Sequence, residues 1–175
     1  MNSVIEKVTN RIIERSQKSR SLYLKQIQEM EDSPDSDRSK LSCSNLAHAV
    51  AASDTSQKKI ITSETNNSKT NLAIISSYND MLSAHQPYEK YPQIIKSAAK
   101  AVGASAQFAG GVPAMCDGIT QGREGMELSL LSRDVIAMST SIGLSHGVYD
   151  GVLCLGICDK IVPGLLMGAL TFGFL

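Results

Sequence analysis

Three reactive side chains stand in a row at Cys158-Asp159-Lys160: a thiol, a carboxylate and an amine. The same first pair recurs upstream as Cys116-Asp117. Thiolates are soft ligands that suit iron–sulfur clusters, and carboxylates are hard ligands that suit magnesium. A soft and a hard donor side by side point to two different metal centres close together. Two thiolates and two carboxylates facing one crevice suit an iron–sulfur cluster beside a hard divalent ion. Three cysteine ligands would leave one iron open as a Lewis acid, whereas four would close the cluster for electron transfer. No C-x-x-C spacing occurs, so zinc-ribbon and ferredoxin readings are weak.

Other candidates carry less. Cys154 lies inside an apolar run and reads as a small core residue. Cys43 and His48 fall on different faces of a short helix and read as packing residues. His85 and His146 read as satisfied loop histidines rather than bases. Arg133 either pairs with Asp134 or Glu127 on its own helix or reaches an anionic substrate, and the ion pair is favoured. Gly110-Gly111 and Gly122-x-x-Gly125 could cradle a phosphate, but glycine pairs are weak signals. Neither a G-x-G-x-x-G nor a Walker pattern is present.

The elements that must position these residues follow from apolar periodicity. Residues 151–157 form an apolar run that reads as a buried strand, with a turn at its end and a helix starting near Pro163. Residues 71–77 and 104–109 are two more strand candidates, the second broken by Gly110-Gly111. Helical spacing marks 89–102 and 126–144. Strand and helix alternating three times is the pattern of a parallel sheet with right-handed crossovers. Three polar clusters then follow three strands, at 77–85, 110–125 and 158–160. A parallel sheet places all three on one edge, where open α/β sheets bind ligands. Upstream, 3–30 is helical with an apolar stripe from Ile5, Val8 and Ile12, suited to packing on a body or a second subunit. Residues 31–42 break it, 41–52 form a short helix, and 53–70 read as a polar surface loop. The fold class is therefore α/β, a parallel sheet flanked by helices and preceded by an N-terminal helical segment. The boundary falls between 1–70 and 71–175.

The length of 175 residues suits about one domain, on the usual ~100–200 residues each. The formal net charge is +0, so no electrostatic case exists for nucleic acid or an anionic membrane. Residues 1–25 carry charges throughout and have no apolar core, which is no signal peptide. A reducing cytoplasm is the expected setting, where thiols more often serve metals or catalysis than disulfides. From 126 to 175 the charged residues are Glu127, Arg133, Asp134, Asp150, Asp159 and Lys160, so that stretch is expected to be largely buried. The chain stops in the apolar Phe172-Gly173-Phe174-Leu175, which suggests the front part of a longer protein.

The segments SYNDMLSAHQPYEKYP (77–92), AGGVPAMCDGITQGREGMELSLLSRDVIAMS (109–139) and DGVLCLGICDKIVPGLLMGAL (150–170) resemble the dihydroxy-acid and phosphogluconate dehydratase family. The opening VTNRIIERS (8–16) fits the branch that acts on 6-phosphogluconate. Family enzymes are several times longer and have two domains, so the resemblance implies a first part, truncated within its α/β domain. Phe174 stands where the family continues with a histidine.

The implied activity is dehydration of 6-phospho-D-gluconate to 2-dehydro-3-deoxy-6-phospho-D-gluconate in the Entner–Doudoroff pathway. Another sugar acid or dihydroxy acid as substrate, or an inactive fragment keeping only the fold, stays open. The resemblance makes Cys158 a ligand of an iron–sulfur cluster. Sister enzymes carry a further cysteine in the loop after the first strand, where this chain reads Ser83-Ala84-His85, and Cys116 could replace it. A four-iron (4Fe-4S) centre is expected for this branch, while a two-iron (2Fe-2S) centre occurs in sisters. Asp117 and Asp159 match magnesium ligands, and Lys160 matches a lysine that is carbamylated in sisters. The implied partner is a small phosphorylated sugar acid, the implied assembly a homodimer. The proton-abstracting base is expected beyond residue 175, so the piece alone is expected to be inactive.

Overall fold

A computed structural model describes residues 2–32, 43–62 and 70–171. The breaker at 33–42 and the apolar end at 172–175 lie outside the described residues, as does the side chain of Cys43. Compact units fall at Met1–Lys40 and Leu41–Leu175.

The first unit is the helix α1 (Ser3–Asp32). Asn2 caps it, its Oδ1 accepting from the Val4 N–H at 2.9 Å. That bond satisfies one of the orphan donors of the first turn.

The second unit begins with two short helices, α2 (Cys43–Ala51) and α3 (Thr55–Ile61). It continues as β1 (Asn71–Ser76), α4 (Tyr91–Ala101), β2 (Ser105–Gly111), α5 (Asp117–Thr120), α6 (Ser129–Leu144), β3 (Gly151–Leu155) and α7 (Ile161–Thr171). The three strands are all parallel, in the order β2-β1-β3. β1 is therefore central, and its sequence says why. Ala73, Ile74 and Ile75 leave no face polar, which suits a strand covered on both sides. Ala73 and Ile75 point to a core shared with Val112, Ile136, Leu144, Ile161 and Leu165, from the α6 and α7 side. Ile74 points the other way, to Ala99 of α4 and Ala106.

Several sequence expectations change. β2 runs through Gly110-Gly111 instead of stopping at Ala109. Ile74 pairs with Phe108 and Ile75 with Gly110, so Ala109 is skipped as a bulge. The long second helix starts at Ser129, after a separate 3-10 turn at Glu124–Leu128. The polar stretch 53–70 holds a helix, α3, with Ile60 and Ile61 buried. Asp54 caps it by accepting from Ser56 N–H at 2.8 Å and Gln57 N–H at 2.9 Å. Asp54-x-x-Gln57 has the spacing of a capping box, and that was the readable signal. Gln107 of β2 donates to Ala49 O at 3.0 Å and Ser53 Oγ at 3.1 Å, so α2 and α3 pack on the sheet.

Cys154 is exposed, not a core residue, because β3 is an edge strand. The stretch from 126 onward is only half buried: Leu153, Val162, Leu166 and Met167 are each at least 40% exposed. His48 is exposed at the mouth of a cavity shared with Gln107 and Tyr149 rather than packed. No helix among the described residues is long and apolar enough to cross a membrane.

Candidate functional site

The carboxyl ends of β1, β2 and β3 feed three loops, and these bring the reactive side chains together. After β1 the chain turns back through Ser77 to His85, which is completely buried. The Nδ1 of His85 lies 2.8 Å from the Ser77 carbonyl oxygen. A carbonyl only accepts, so Nδ1 carries the ring proton and Nε2 presents a lone pair. Ser77 Oγ, 3.1 Å from Nδ1, fits the same tautomer, since its own hydrogen goes to Leu155 O at 3.1 Å. The Nε2 faces Cys158 Sγ at 3.7 Å. The ring of Tyr88 stands edge-on to His85 at 6.2 Å between centroids.

Cys158 follows β3 with φ 82°, the only non-glycine residue with positive φ among the described residues. The left-handed region costs an L-residue about 1–2 kcal/mol, and such strain clusters at functional sites. Cys116, just before α5, is a neighbour of Cys158. Burial, then this contact with Cys116, pushes the Cys158 thiol above its ordinary value.

The hard donors meet on the other side of Cys158. Lys160 donates to Asp117, which lies after β2, and to Asp159 at 2.9 Å. Ser129, the first residue of α6, donates to the other oxygen of Asp117 at 2.6 Å. Lys160 first and Ser129 second hold the Asp117 carboxyl below the usual range. Asp117 first and Asp159 second raise the Lys160 ammonium above its ordinary value.

This arrangement sets a pH window. Asp117 is depressed, so its contribution is present above 3.8 and is lost as pH falls through its folded value. Lys160 is raised, so its contribution is present below 10.5 and is lost as pH rises through its folded value. The expected result for Asp117→Asn is a stability deficit that stays flat from about pH 5 to pH 9 and shrinks on the acid side. Urea unfolding of both proteins across that range checks it. A deficit that grows toward acid contradicts the assigned ion pair.

The donors fit the groups that the motifs suggest. An ammonium lies between Asp117 and Asp159, as a metal cation would. Two thiols and an imidazole nitrogen lie beside it, in pairs. Among the described residues, no three His, Cys, Asp or Glu side chains close round one ion. The Nδ2 of Asn79, in the loop after β1, is buried without a partner.

The motif residues Cys116, Asp117, Cys158, Asp159 and Lys160 all come together. Arg133 pairs with Asp134 at 3.2 Å, as favoured. His146 bonds locally, its Nδ1 donating to Gly143 O at 2.8 Å. Gly122, at φ 73°, serves a turn. Two contacts were missed. His85 had a signal, a histidine in the polar loop after a strand. Ser129 had none, because nothing in its neighbourhood links it to Asp117, 12 residues earlier.

A parallel α/β sheet with polar loops gathered at its carboxyl edge has the ligand-binding architecture of open α/β folds. The family model described as dihydroxy-acid/6-phosphogluconate dehydratase N-terminal matches residues 69–174, and the chain belongs to that family. The chain is 59% identical over its whole length to phosphogluconate dehydratase of Escherichia coli (strain K12) and spans 28% of that protein. The same enzyme name is carried by a Zymomonas mobilis relative, 56% identical over all of this chain and 28% of its own length. A dihydroxy-acid dehydratase of Akkermansia muciniphila is 41% identical over 100 residues, which is 57% of this chain and 18% of that protein. The chain thus spans under a third of the curated relatives it matches.

Proposed function

We propose that the protein carrying this chain is a hydro-lyase that converts 6-phospho-D-gluconate to 2-dehydro-3-deoxy-6-phospho-D-gluconate and water, a step of the Entner–Doudoroff pathway. One observation carries the choice of substrate. Similarity to enzymes named phosphogluconate dehydratase runs through the entire chain at 59%, whereas the dihydroxy-acid relative matches 57% of it at 41%.

In this reading Cys158 and Cys116 hold an iron–sulfur cluster, and Asp117, Asp159 and Lys160 hold magnesium. When bound, such groups act as Lewis acids, magnesium acidifying the C2 proton and the cluster easing departure of the C3 hydroxyl. The chain's own residues prepare that site. Ser129 engages one oxygen of Asp117 and leaves the other facing Lys160. Lys160 neutralises two carboxylates that would otherwise repel each other. Carbamylation, in which the neutral amine adds carbon dioxide and releases a proton, would turn this cation into an anion. Three anions would then face one point, which requires a divalent cation there. The raised affinity of Lys160 for its proton opposes that addition until a metal competes for the carboxylates. Loss of the C2 proton and the C3 hydroxyl leaves an enol, which tautomerises to the ketone. An apolar stripe on α1 is the surface we assign to a second copy in a homodimer, and we place the protein in the cytoplasm.

The test is functional rescue. A strain lacking phosphogluconate dehydratase should regain growth on gluconate when given the gene that carries this chain. The protein purified without oxygen should release a 2-keto acid from 6-phosphogluconate. Turnover of a dihydroxy acid with none of 6-phosphogluconate would overturn the substrate. The 175-residue chain alone is expected to be inactive.

A further inference from the structure

Ser129 is 2% exposed, so water does not compete for its hydroxyl. Its backbone is fixed on both sides. The N–H donates to Met126 O, and the C=O accepts from Ser132 Oγ at 2.6 Å. The hydroxyl donates to Oδ1 of Asp117 at 2.6 Å. A hydroxyl has a single hydrogen and an ionised carboxylate only accepts, so that hydrogen is committed to Oδ1. A bond this short between a hydroxyl and a carboxylate is of the strong, charge-assisted kind.

The two oxygens of Asp117 therefore have different tasks. Oδ1 is held at the start of α6. Oδ2 is held by the Lys160 ammonium, which also donates to Oδ2 of Asp159. The ammonium stands in for a cation between the two carboxylates. A metal ion in its place meets one oxygen of Asp117, because the hydroxyl keeps the other. That restriction separates metals. Magnesium demands an octahedral shell with bonds of about 2.0–2.1 Å. The two oxygens of one carboxylate lie closer together than neighbouring corners of that octahedron, so magnesium takes one of them. Calcium is held at about 2.3–2.6 Å by more oxygens in a looser shell, and accepts both oxygens of one carboxylate.

We propose that Ser129 sets the metal selectivity of this site: by holding Oδ1 it makes Asp117 a one-oxygen ligand and favours magnesium over calcium. The proposal rests on the magnesium reading of Asp117, Asp159 and Lys160. Ser129 is a positioning residue, since it acts on the metal through Asp117. Partners that hold a ligating side chain in place are worth about 10–100-fold in metal affinity. Without the hydroxyl, the Asp117 carboxylate is free to turn and offer both oxygens, which calcium can use and magnesium cannot.

The experiment is calorimetric titration of magnesium and of calcium into the full-length protein that carries this chain, purified without oxygen and dialysed free of divalent ions. Binding that disappears in Asp117→Asn marks the site. Ser129→Ala should weaken magnesium there by about 10-fold or more and leave calcium within about threefold of wild type. Ser129→Thr keeps a hydroxyl and should keep the preference. Urea unfolding of each variant should show a folded protein. Equal weakening of both metals in Ser129→Ala, or no weakening of magnesium, would overturn the selectivity role and leave the magnesium site standing. So would a Ser129→Thr variant that is folded and loses the preference as fully as Ser129→Ala. A wild-type protein with no Asp117-dependent magnesium binding would overturn both readings.

Discussion

Replacing Cys158 by glycine is expected to make the metal-free protein more stable and, under the proposed iron–sulfur reading, to abolish iron binding. The two effects have different causes and opposite signs. At φ 82° the backbone of Cys158 is in a region that costs an L-residue about 1–2 kcal/mol and costs glycine nothing. Glycine returns about 0.5–1 kcal/mol of that as extra freedom of the unfolded chain. The half-buried thiol also packs on the edge of the main core, and that contact is lost. The expected net gain for Cys158→Gly is about 0.5 kcal/mol, read as a higher urea midpoint with an unchanged slope. Cys158→Ser is the matching control. It keeps the strain and the approximate size but lacks the soft donor, so stability stays near wild type while iron is lost. Iron and labile sulfide analysis of both variants, set beside their unfolding curves, separates the two terms. A glycine variant that loses stability contradicts the strain. A serine variant that retains full iron contradicts the ligand.

Gly168→Val forces α7 away from α6 and costs about 3 kcal/mol, near the upper end for overpacking. A Cβ at Gly168 would lie 2.5 Å from Thr140 Cβ and 2.7 Å from the Ala137 carbonyl oxygen. One turn earlier, a Cβ at Gly164 would meet the Arg133 carbonyl oxygen at 2.7 Å and Ile136 at 2.9 Å. Backbone atoms of a neighbouring helix cannot swing aside as a side-chain tip can. The helices must separate instead, and Ile136 and Leu165 lose their shared core. The site should suffer with the packing. α6 begins at Ser129 and α7 begins just after Lys160, so parting the helices pulls Ser129, Asp117 and Lys160 out of register. Gly110→Ala is the control, since a Cβ there has nothing within 4 Å, and its stability should stay within about 0.5 kcal/mol of wild type. Thermal unfolding of the three proteins checks the ranking. A Gly168→Val variant as stable as Gly110→Ala would contradict the close packing.

Much of the architecture was legible along the chain. The apolar run Leu72 to Ile75 announced a strand buried on both faces, and the helical spacing of Tyr91, Ile94, Ile95 and Ala98 announced α4. The repeated Cys-Asp pair marked the loops that follow two strands. The polar helix α3 was missed because two isoleucines in a run of Ser, Gln and Lys make too short a stripe to show periodicity. Its cap, Asp54, was the better clue. Cys154 was misplaced because alternation tells which face a residue takes, not whether anything covers that face.

What the sequence alone determined was the type of each sheet strand and of the helices between them, and the position of the Cys-Asp pairs in loops past a strand. Local periodicity and turn chemistry act over a few residues, and a few residues are enough to read them. Which strands are neighbours was decided only in three dimensions. β1 lies between β2 and β3, and that order brings His85 to Cys158, 73 residues away, and Lys160 to Asp117, 43 residues away. The left-handed turn at Cys158 and the bond from Ser129 to Asp117 belong to the same level. Each is set by contacts between segments whose separation along the chain carries no periodic trace. The Cys-Asp-Lys run could therefore name the chemistry, while packing chose its partners.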